Sequence, residues 1–165
     1  MDTEMSILPS TQDNPLVRKV QGPVATSWNS FRNYQKNEAW IWEHLALTRA
    51  RAVAGTGSLL NDFESFRSSL LKSYDRENIF NELVNMRSRI AQAKISNPLD
   101  AKIGPGRLQD LDLLSQAGCL VTRSISRSTN AGLEALFGGK FLTKDEFLEL
   151  RAAANQLWSL QLGLN

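Results

Sequence analysis

Apolar side chains recur at steps of three to five residues along most of this chain, which is the spacing of one face of an α-helix. Residues 27–54 contain neither Gly nor Pro. The pattern therefore predicts one continuous helix there, beginning at the N-cap Ser27 and ending at Gly55. Shorter helices are predicted to begin near Ser58, after Asp75, near Leu108, near Ser128 and at Thr143.

The later helices carry local signals of their own. The apolar face of the helix after Ser58 is formed by Leu59, Phe63, Phe66 and Leu70. Arg67 is assigned to the polar side of that helix. Thr143 and Glu146 form a capping box, in which each side chain satisfies a free amide at a helix start. Short alternating stretches exist, but none is rich in Val, Ile and Tyr and bounded by turns. The prediction is therefore an all-α fold, a five- to six-helix antiparallel bundle with an extended N-terminal arm.

The first 26 residues differ from the rest because they hold three prolines and show no sustained period. We expect residues 1–22 to be a linker or arm and residues 23–165 to form the helical domain. Apolar residues make up 42% and charged residues 22% of the chain, which suits a globular domain. The formal net charge of +2 is too small to favour nucleic-acid binding.

Other broad features point to the cytoplasm. No apolar run reaches the roughly 18 residues that a membrane helix needs, and the N-terminus lacks the pattern of a signal peptide. Cys119 is the only cysteine, and one unpaired thiol suits a reducing compartment. We therefore expect no membrane partner, no nucleic-acid partner and a cytoplasmic location.

The residues available for catalysis are few. His44 is the only histidine, which excludes a zinc site built from several Cys and His ligands and leaves a catalytic triad poorly supported. Asp110 and Asp112 resemble a carboxylate pair that holds Mg²⁺ for nucleotidyl transfer. On a helix, however, two positions differ by about 200°, so the two carboxylates would diverge. We predict no catalytic residue and no metal site in this chain.

Two further patterns leave alternatives open. Trp40 and Trp42 cannot share one face of a helix, so one of them points either towards a second domain or ligand, or under the N-terminal arm. Arg49 and Arg51 lie at the predicted end of the first helix. Cations there complement the helix dipole, and guanidinium groups also match the oxygens of phosphate.

Three segments, in order, carry a more specific signal. Residues 21–55, QGPVATSWNSFRNYQKNEAWIWEHLALTRARAVAG, have a GPVATS start and a W-E-H-x-A-L-x-R-A-R core. Residues 82–92 read ELVNMRSRIAQ, and residues 99–116 read LDAKIGPGRLQDLDLLSQ. This order and spacing resemble the bifunctional glutamine-synthetase adenylyltransferase/deadenylylase of bacteria. The resemblance covers nearly all of residues 21–116 and is weaker beyond them.

The resemblance implies a role within a larger enzyme. Full-length members of that family move AMP from ATP to a tyrosine of glutamine synthetase and remove it again, under control of the PII signal protein and glutamine. This chain resembles only their C-terminal helical domain, without the catalytic nucleotidyltransferase core. The implied partners are the nucleotidyltransferase domain, glutamine synthetase and PII. Mg and ATP belong to the full-length family, and no cofactor is expected in this chain.

Several alternatives follow from the same resemblance. Residues 1–22 are either the end of a preceding nucleotidyltransferase domain or sequence added artificially. The chain itself is either a domain of the enzyme or a free-standing helical interaction domain derived from that family. A self-contained metal-dependent nucleotidyltransferase that uses Asp110 and Asp112 is a third hypothesis. The family is a nucleotidyltransferase, and we do not expect this chain alone to be catalytic.

The resemblance also marks candidate residues for a ligand, a phosphate or a domain interface. They are Trp42, Glu43, Thr48, Arg49, Arg51, Lys102, Asp110 and Asp112. The arginines are expected to meet phosphates at the domain junction. At one position this chain departs from the family, because Arg107 replaces the second glycine of a Gly-Gly pair. The family's Asp-Ile-Glu-Phe also reads Asp-Leu-Asp-Leu here, over residues 110–113.

Overall fold

The computed structural model describes residues 4–6, 25–93 and 100–163. The chain divides into two compact units, residues 1–39 and residues 40–165. The predicted boundary between residues 22 and 23 and most of the predicted arm lie outside the described residues.

The first unit contains a short β-ladder and one helix. Strands β1 (Glu4–Ser6) and β2 (Ala25–Ser27) pair antiparallel over three residues each, and helix α1 (Trp28–Asn37) follows β2. Ser27 caps α1, because its Oγ accepts a hydrogen bond from the Ser30 amide at 3.2 Å. The ladder was not predicted, since three residues are too few to show alternation.

The second unit, over its described residues, is built from six helices. They are α2 (Ile41–Leu47), α3 (Gly57–Leu71), α4 (Arg76–Ala93), α5 (Leu108–Val121), α6 (Thr129–Gly138) and α7 (Lys144–Gly163). The all-α prediction is confirmed. The capping box that opens α7 is also confirmed, since the Thr143 amide donates to the Glu146 carboxylate at 2.8 Å. No helix of the described residues combines the length and apolar content needed to cross a membrane.

The prediction of one continuous helix over residues 27–54 is wrong. α1 ends at Asn37, and α2 occupies only Ile41–Leu47. The Trp40 amide donates to the Glu43 carboxylate at 2.8 Å, which provides α2 with its own start. α2 ends where side chains from distant parts of the sequence bind its last carbonyl groups. The two breaks therefore need neither Gly nor Pro, and residue pattern alone did not reveal them.

Helix α5 lies at the centre of the second unit and contacts α2, α4, α6 and α7. Buried apolar residues come from all five of these helices. Among them are Leu45, Ile79, Met86, Leu108, Leu111, Leu120, Leu133, Leu136, Phe147 and Ala154. Burying each of the Leu, Ile, Met and Phe side chains contributes roughly 1.5–3 kcal/mol to folding. The core thus fixes α5, and with it the Asp110 and Asp112 side chains.

Helices α5 and α6 cross at a point where only glycine fits. A Cβ on Gly118 would lie 2.8 Å from the Gly132 carbonyl oxygen, and one on Gly132 would lie 2.4 Å from the Ser115 carbonyl oxygen. Contacts advance together along both helices, from Ser115 with Gly132 to Thr122 with Gly139. The two helices therefore run in the same general direction, which departs from the predicted antiparallel arrangement.

The segment between α5 and α6 makes this geometry possible. It runs back along α5, so that the Cys119 thiol donates to the Ser126 carbonyl at 3.5 Å and the Ser115 hydroxyl reaches the Ser128 carbonyl at 3.5 Å. As a result α6 begins beside the first half of α5. Helix α7 then returns along α6 as an antiparallel hairpin, with the Phe137 and Phe147 rings stacked at 5.0 Å.

Candidate functional site

Arg49 lies at the centre of a hydrogen-bonded network in the second unit. Its Nη2 donates to Asp112 Oδ1 at 2.8 Å and to Thr129 Oγ1 at 2.9 Å. The Thr129 hydroxyl donates in turn to the same Asp112 oxygen at 2.7 Å. We call these three residues the Arg49 junction. It joins the turn after α2 to α5 and α6, and its Arg49 and Asp112 side chains are only 29% and 31% exposed.

Two further arginines hold the backbone on either side of Arg49. Arg67 of α3 is 1% exposed; its Nε donates to the Leu47 carbonyl at 2.8 Å, and its Nη2 donates to the Thr48 carbonyl. Arg127 donates from Nε to the Ala50 carbonyl at 2.9 Å. Guanidinium groups thus bind three peptide carbonyls around the end of α2, those of Leu47, Thr48 and Ala50, which keeps this turn in one conformation.

Positive charge exceeds negative charge around this turn. Arg49 pairs with Asp112, and Arg127 pairs with Glu64. Arg67 Nη1 lies 3.8 Å from Glu64 Oε2, the oxygen that also pairs with Arg127. Burial lowers the pKa of Arg67, and the nearby charge of Arg127 lowers that pKa further. Three positively charged guanidinium groups are therefore paired with two carboxylates, in a region that is partly removed from water.

Asp110 is engaged in a separate and more exposed contact. Arg87 of α4 donates from Nε at 3.0 Å and from Nη2 at 2.8 Å to Asp110 Oδ2, and the Gly106 amide donates to the same oxygen at 2.8 Å. The Arg87 and Asp110 side chains are 48% and 22% exposed. Hydrogen bonding to Asp110 raises the pKa of Arg87. This contact fastens the loop before α5 to α4.

The two aspartates therefore do not share a ligand position. Each carboxylate binds an arginine from a different element, as the angle between positions 110 and 112 on a helix requires. The described residues contain no group of three or more His, Cys, Asp and Glu side chains placed to hold a metal ion. A cation at either aspartate would have to compete with an arginine already bound there.

The other residues marked by the sequence have varied surroundings. Glu43 caps α2. Thr48 is buried and donates its hydroxyl to the Leu45 carbonyl at 2.6 Å. Arg51 and Lys102 are exposed and form no ion pair with another described residue. The structure thus joins Arg49 to Asp112 by a direct contact, and the exposed Arg51 follows Arg49 by two residues along the chain.

The predicted separation of Trp40 and Trp42 is wrong. Their ring centroids lie 4.5 Å apart. Trp40 precedes the first turn of α2, so the angle between helical positions does not apply to it. Trp40 is 57% exposed, and the pair presents an aromatic surface at the start of α2.

Arg107 lies inside its own loop. Its Nη1 donates to the Asp100 carbonyl and, at 2.9 Å, to the Ile103 carbonyl. Gly104 has a φ of 141°, and a Cβ there would lie 2.8 Å from Arg107 Nε. The Arg107 side chain therefore fills this loop and packs against Gly104.

Sequence reasoning missed Thr129, Arg127 and Arg67. The prediction that Arg67 lies on the polar side of its helix is wrong, because the side chain is buried. A signal did exist, because Arg67 follows Phe63 by four residues and so falls on the same apolar face. Thr129 and Arg127 carried no comparable signal, since their partners are distant in the sequence.

Comparison with known proteins identifies the same family as the motifs. A family model described as glutamate-ammonia ligase adenylyltransferase matches residues 18–66. A bifunctional glutamine synthetase adenylyltransferase/adenylyl-removing enzyme of Stenotrophomonas maltophilia strain R551-3 is 35% identical over 154 residues, which cover 87% of this chain and 16% of that protein.

Two proteins of the same name, from other bacteria, agree with this match. The one from Agrobacterium fabrum strain C58 is 38% identical over 70% of this chain and 13% of its own length. The one from Rhizobium meliloti strain 1021 is 38% identical over 73% of this chain and 12% of its own length. The chain thus spans 12–16% of the length of these three relatives. By these matches it belongs to the family of bifunctional glutamine synthetase adenylyltransferase/adenylyl-removing enzymes.

Proposed function

We propose that this chain is a helical docking and regulatory domain of a glutamine synthetase adenylyltransferase, and that the catalytic nucleotidyltransferase core is carried by another domain. One observation supports this most directly. Both aspartates of the Asp-x-Asp motif are bound by arginines of the same chain, so the motif stabilises the helical scaffold instead of presenting free carboxylates.

A self-contained metal-dependent nucleotidyltransferase is less well supported. That reaction needs carboxylates that converge on a divalent cation beside the transferred phosphate. Asp112 accepts from Arg49 and Thr129, whereas Asp110 accepts from Arg87 and the Gly106 amide. Binding a shared cation would break both sets of contacts and reorient α5.

The proposed partners follow from the family. The relatives are named for glutamine synthetase, so we propose glutamine synthetase as the protein on which the complete enzyme acts, by AMP transfer from ATP and by AMP removal. A nucleotidyltransferase domain and the PII signal protein are the other proposed partners, in the cytoplasm. Mg and ATP would bind to the catalytic domain.

A free-standing interaction domain is the second candidate, and the end of α7 favours it. Trp158, Leu160 and Leu162 are 42%, 58% and 72% exposed. Such side chains in the last turns of a helix are typical of a surface that contacts another protein. Both candidates share this docking role and differ in whether an adenylyltransferase is the partner.

Transfer of labelled AMP to purified glutamine synthetase tests the proposal. The chain alone should transfer none, and adding it to a catalytic module that lacks this domain should increase the transfer. In the full-length enzyme, Arg49→Ala should lower the transfer, while Arg89→Ala, an exposed arginine on α4, should leave it unchanged. AMP transfer by the chain alone would contradict the proposal, and so would a catalytic module that gains nothing from it.

A further inference from the structure

We propose that Arg49, Arg51 and Arg127 form a binding site for a doubly charged phosphate group, between the turn after α2 and the start of α6. The inference deepens the proposed function by naming a ligand class for this junction. The site itself is inferred from contacts within this chain. Only the suggestion that a nucleotide supplies the phosphate group rests on the proposed function.

Two hydrogen bonds place the guanidinium groups of Arg49 and Arg127 at the same junction. Arg127 Nε binds the carbonyl of Ala50, the residue directly after Arg49. In the opposite direction, Arg49 Nη2 binds the hydroxyl of Thr129, two residues after Arg127. Each arginine thus reaches across to the segment that carries the other. Arg51 follows Ala50 directly and is exposed.

The two bridging arginines keep donors available. A guanidinium group has five N–H donors. Arg49 uses Nη2 for its bonds to Asp112 and Thr129, and Arg127 uses Nε and Nη2. Within the described part of the chain, Nη1 of both arginines and Nε of Arg49 make no hydrogen bond. The side chains are 29% and 39% exposed, so these donors are within reach of a solute.

Anchoring prepares these side chains for an anion. A free arginine loses considerable rotamer entropy when it is fixed on a ligand. Here that entropy is already lost on folding, because each guanidinium group is held by a carboxylate and by a second oxygen acceptor. Planar guanidinium groups also match the spacing of phosphate oxygens and bind them through charge-assisted hydrogen bonds.

The local charge also favours an anion with two charges. Among the described residues, Arg49, Arg67 and Arg127 form ion pairs with two carboxylates, those of Asp112 and Glu64, and Arg51 adds a fourth cation at the surface. Buried Arg67 cannot lower its electrostatic cost by contact with water. A phosphate dianion at the junction would balance the excess. The N-terminus of α6, which starts at Thr129, adds a favourable dipole.

A purely structural role is the alternative, in which the arginines only hold the turn after α2. Thermal unfolding of the full chain in orthophosphate, in ATP without metal, and in chloride at equal ionic strength separates the two roles. Ligand that binds only the folded state raises Tm with concentration. We expect a saturable rise in orthophosphate over chloride. A larger rise in ATP at equal concentration would identify nucleotides as the source, and an equal rise would identify the phosphate group itself.

Variants identify the residues. Arg51→Gln removes an exposed side chain and should leave the fold intact, while phosphate affinity falls roughly tenfold, the effect of losing one charge-assisted hydrogen bond. Arg127→Lys keeps the charge but loses the planar fork, and it should also weaken binding. Arg89→Gln is the matched control and should bind like the unchanged chain. If Arg127→Lys does not fold, calorimetric titration of Arg51→Gln with orthophosphate still decides the question.

Failure of this inference is distinct from failure of the proposed function. No saturable response to orthophosphate or ATP, or an unchanged affinity in Arg51→Gln, would overturn the phosphate site even if the chain stimulates AMP transfer. Phosphate binding without stimulation would leave the site in place and contradict only the role in the adenylyltransferase.

Discussion

Asp110 and Asp112 lie two residues apart on one helix, yet their surroundings differ in kind. Asp112 belongs to the half-buried Arg49 junction, whose partners are 63 and 17 residues away. Asp110 fastens the adjacent loop, residues 100–107, through the Gly106 amide and an exposed pair with Arg87. The comparison shows that one short motif serves both a long-range tertiary contact and a local surface contact.

This difference has an energetic consequence. Charged groups in the Arg49 junction are partly removed from water, so the loss of one partner leaves the other unsatisfied. An exposed partner such as Arg87 regains water when its contact is lost. We therefore expect substitutions near Arg49 to affect stability more than equivalent ones around Asp110.

The largest effect on stability should come from Arg67, which binds the carbonyls of the two residues that precede Arg49. Arg67→Met keeps most of the side-chain volume but removes the guanidinium hydrogen bonds to the Leu47 and Thr48 carbonyls. We expect a loss of roughly 3 kcal/mol in unfolding free energy, measured by urea denaturation with circular dichroism. Arg89→Met, an exposed arginine on α4, should change stability by less than about 0.5 kcal/mol. Equal losses of unfolding free energy in the two variants would contradict the expectation that the surroundings of Arg49 matter more for stability than exposed sites.

The helix crossing that sets Thr129 beside Asp112 should come next. Gly132→Ala places a Cβ 2.4 Å from the Ser115 carbonyl oxygen, so α5 and α6 must separate. We expect a loss of about 2 kcal/mol and weaker protection of the Arg49 junction in hydrogen exchange. Gly138→Ala lies in the same helix where a Cβ meets nothing within 4 Å, and it should be neutral. A neutral Gly132→Ala would show that the crossing is not close-packed.

Double-mutant cycles compare the two aspartates directly. We expect a coupling free energy of about 1.5 kcal/mol between Arg49 and Asp112, and about 0.5 kcal/mol between Arg87 and Asp110. The substitutions are Arg→Gln and Asp→Asn, with urea denaturation as the readout. High salt should reduce the second coupling more than the first, because exposed pairs are screened. A reversed order of the two couplings would refute the distinction between the two regions.

The smallest effect concerns the loop that Asp110 fastens. Hydrogen bonds from the Lys102 and Ile103 amides lower the pKa of Asp100. A lowered pKa means that the folded loop favours the carboxylate. Its contribution is therefore present above the ordinary carboxyl pKa and is lost as the pH falls through the lowered value. NMR titration should show the Lys102 and Ile103 amide signals moving with that carboxyl group, and Asp100→Asn should abolish the movement. If the Lys102 and Ile103 amide signals still titrate in Asp100→Asn, the Asp100 carboxylate is not the group that they report.

Features encoded by neighbouring residues were predicted well. The capping box of Thr143 and Glu146 and the divergence of Asp110 and Asp112 each depend on residues within one or two turns. The long helix over residues 27–54 failed for the opposite reason. Its breaks depend on Glu43 reaching back to Trp40 and on Arg67 binding carbonyls that are about 20 residues away along the chain.

The sequence by itself determined the all-α class, most helix starts and, through its motifs, the family. These depend on periodicity, caps and residue order, which act over short distances. Only the tertiary structure decided that Arg49 meets Asp112 and Thr129, that Arg67 is buried, and that α5 and α6 run in the same direction. Those contacts arise because the core brings distant segments together, and no local preference specifies which polar groups then become neighbours.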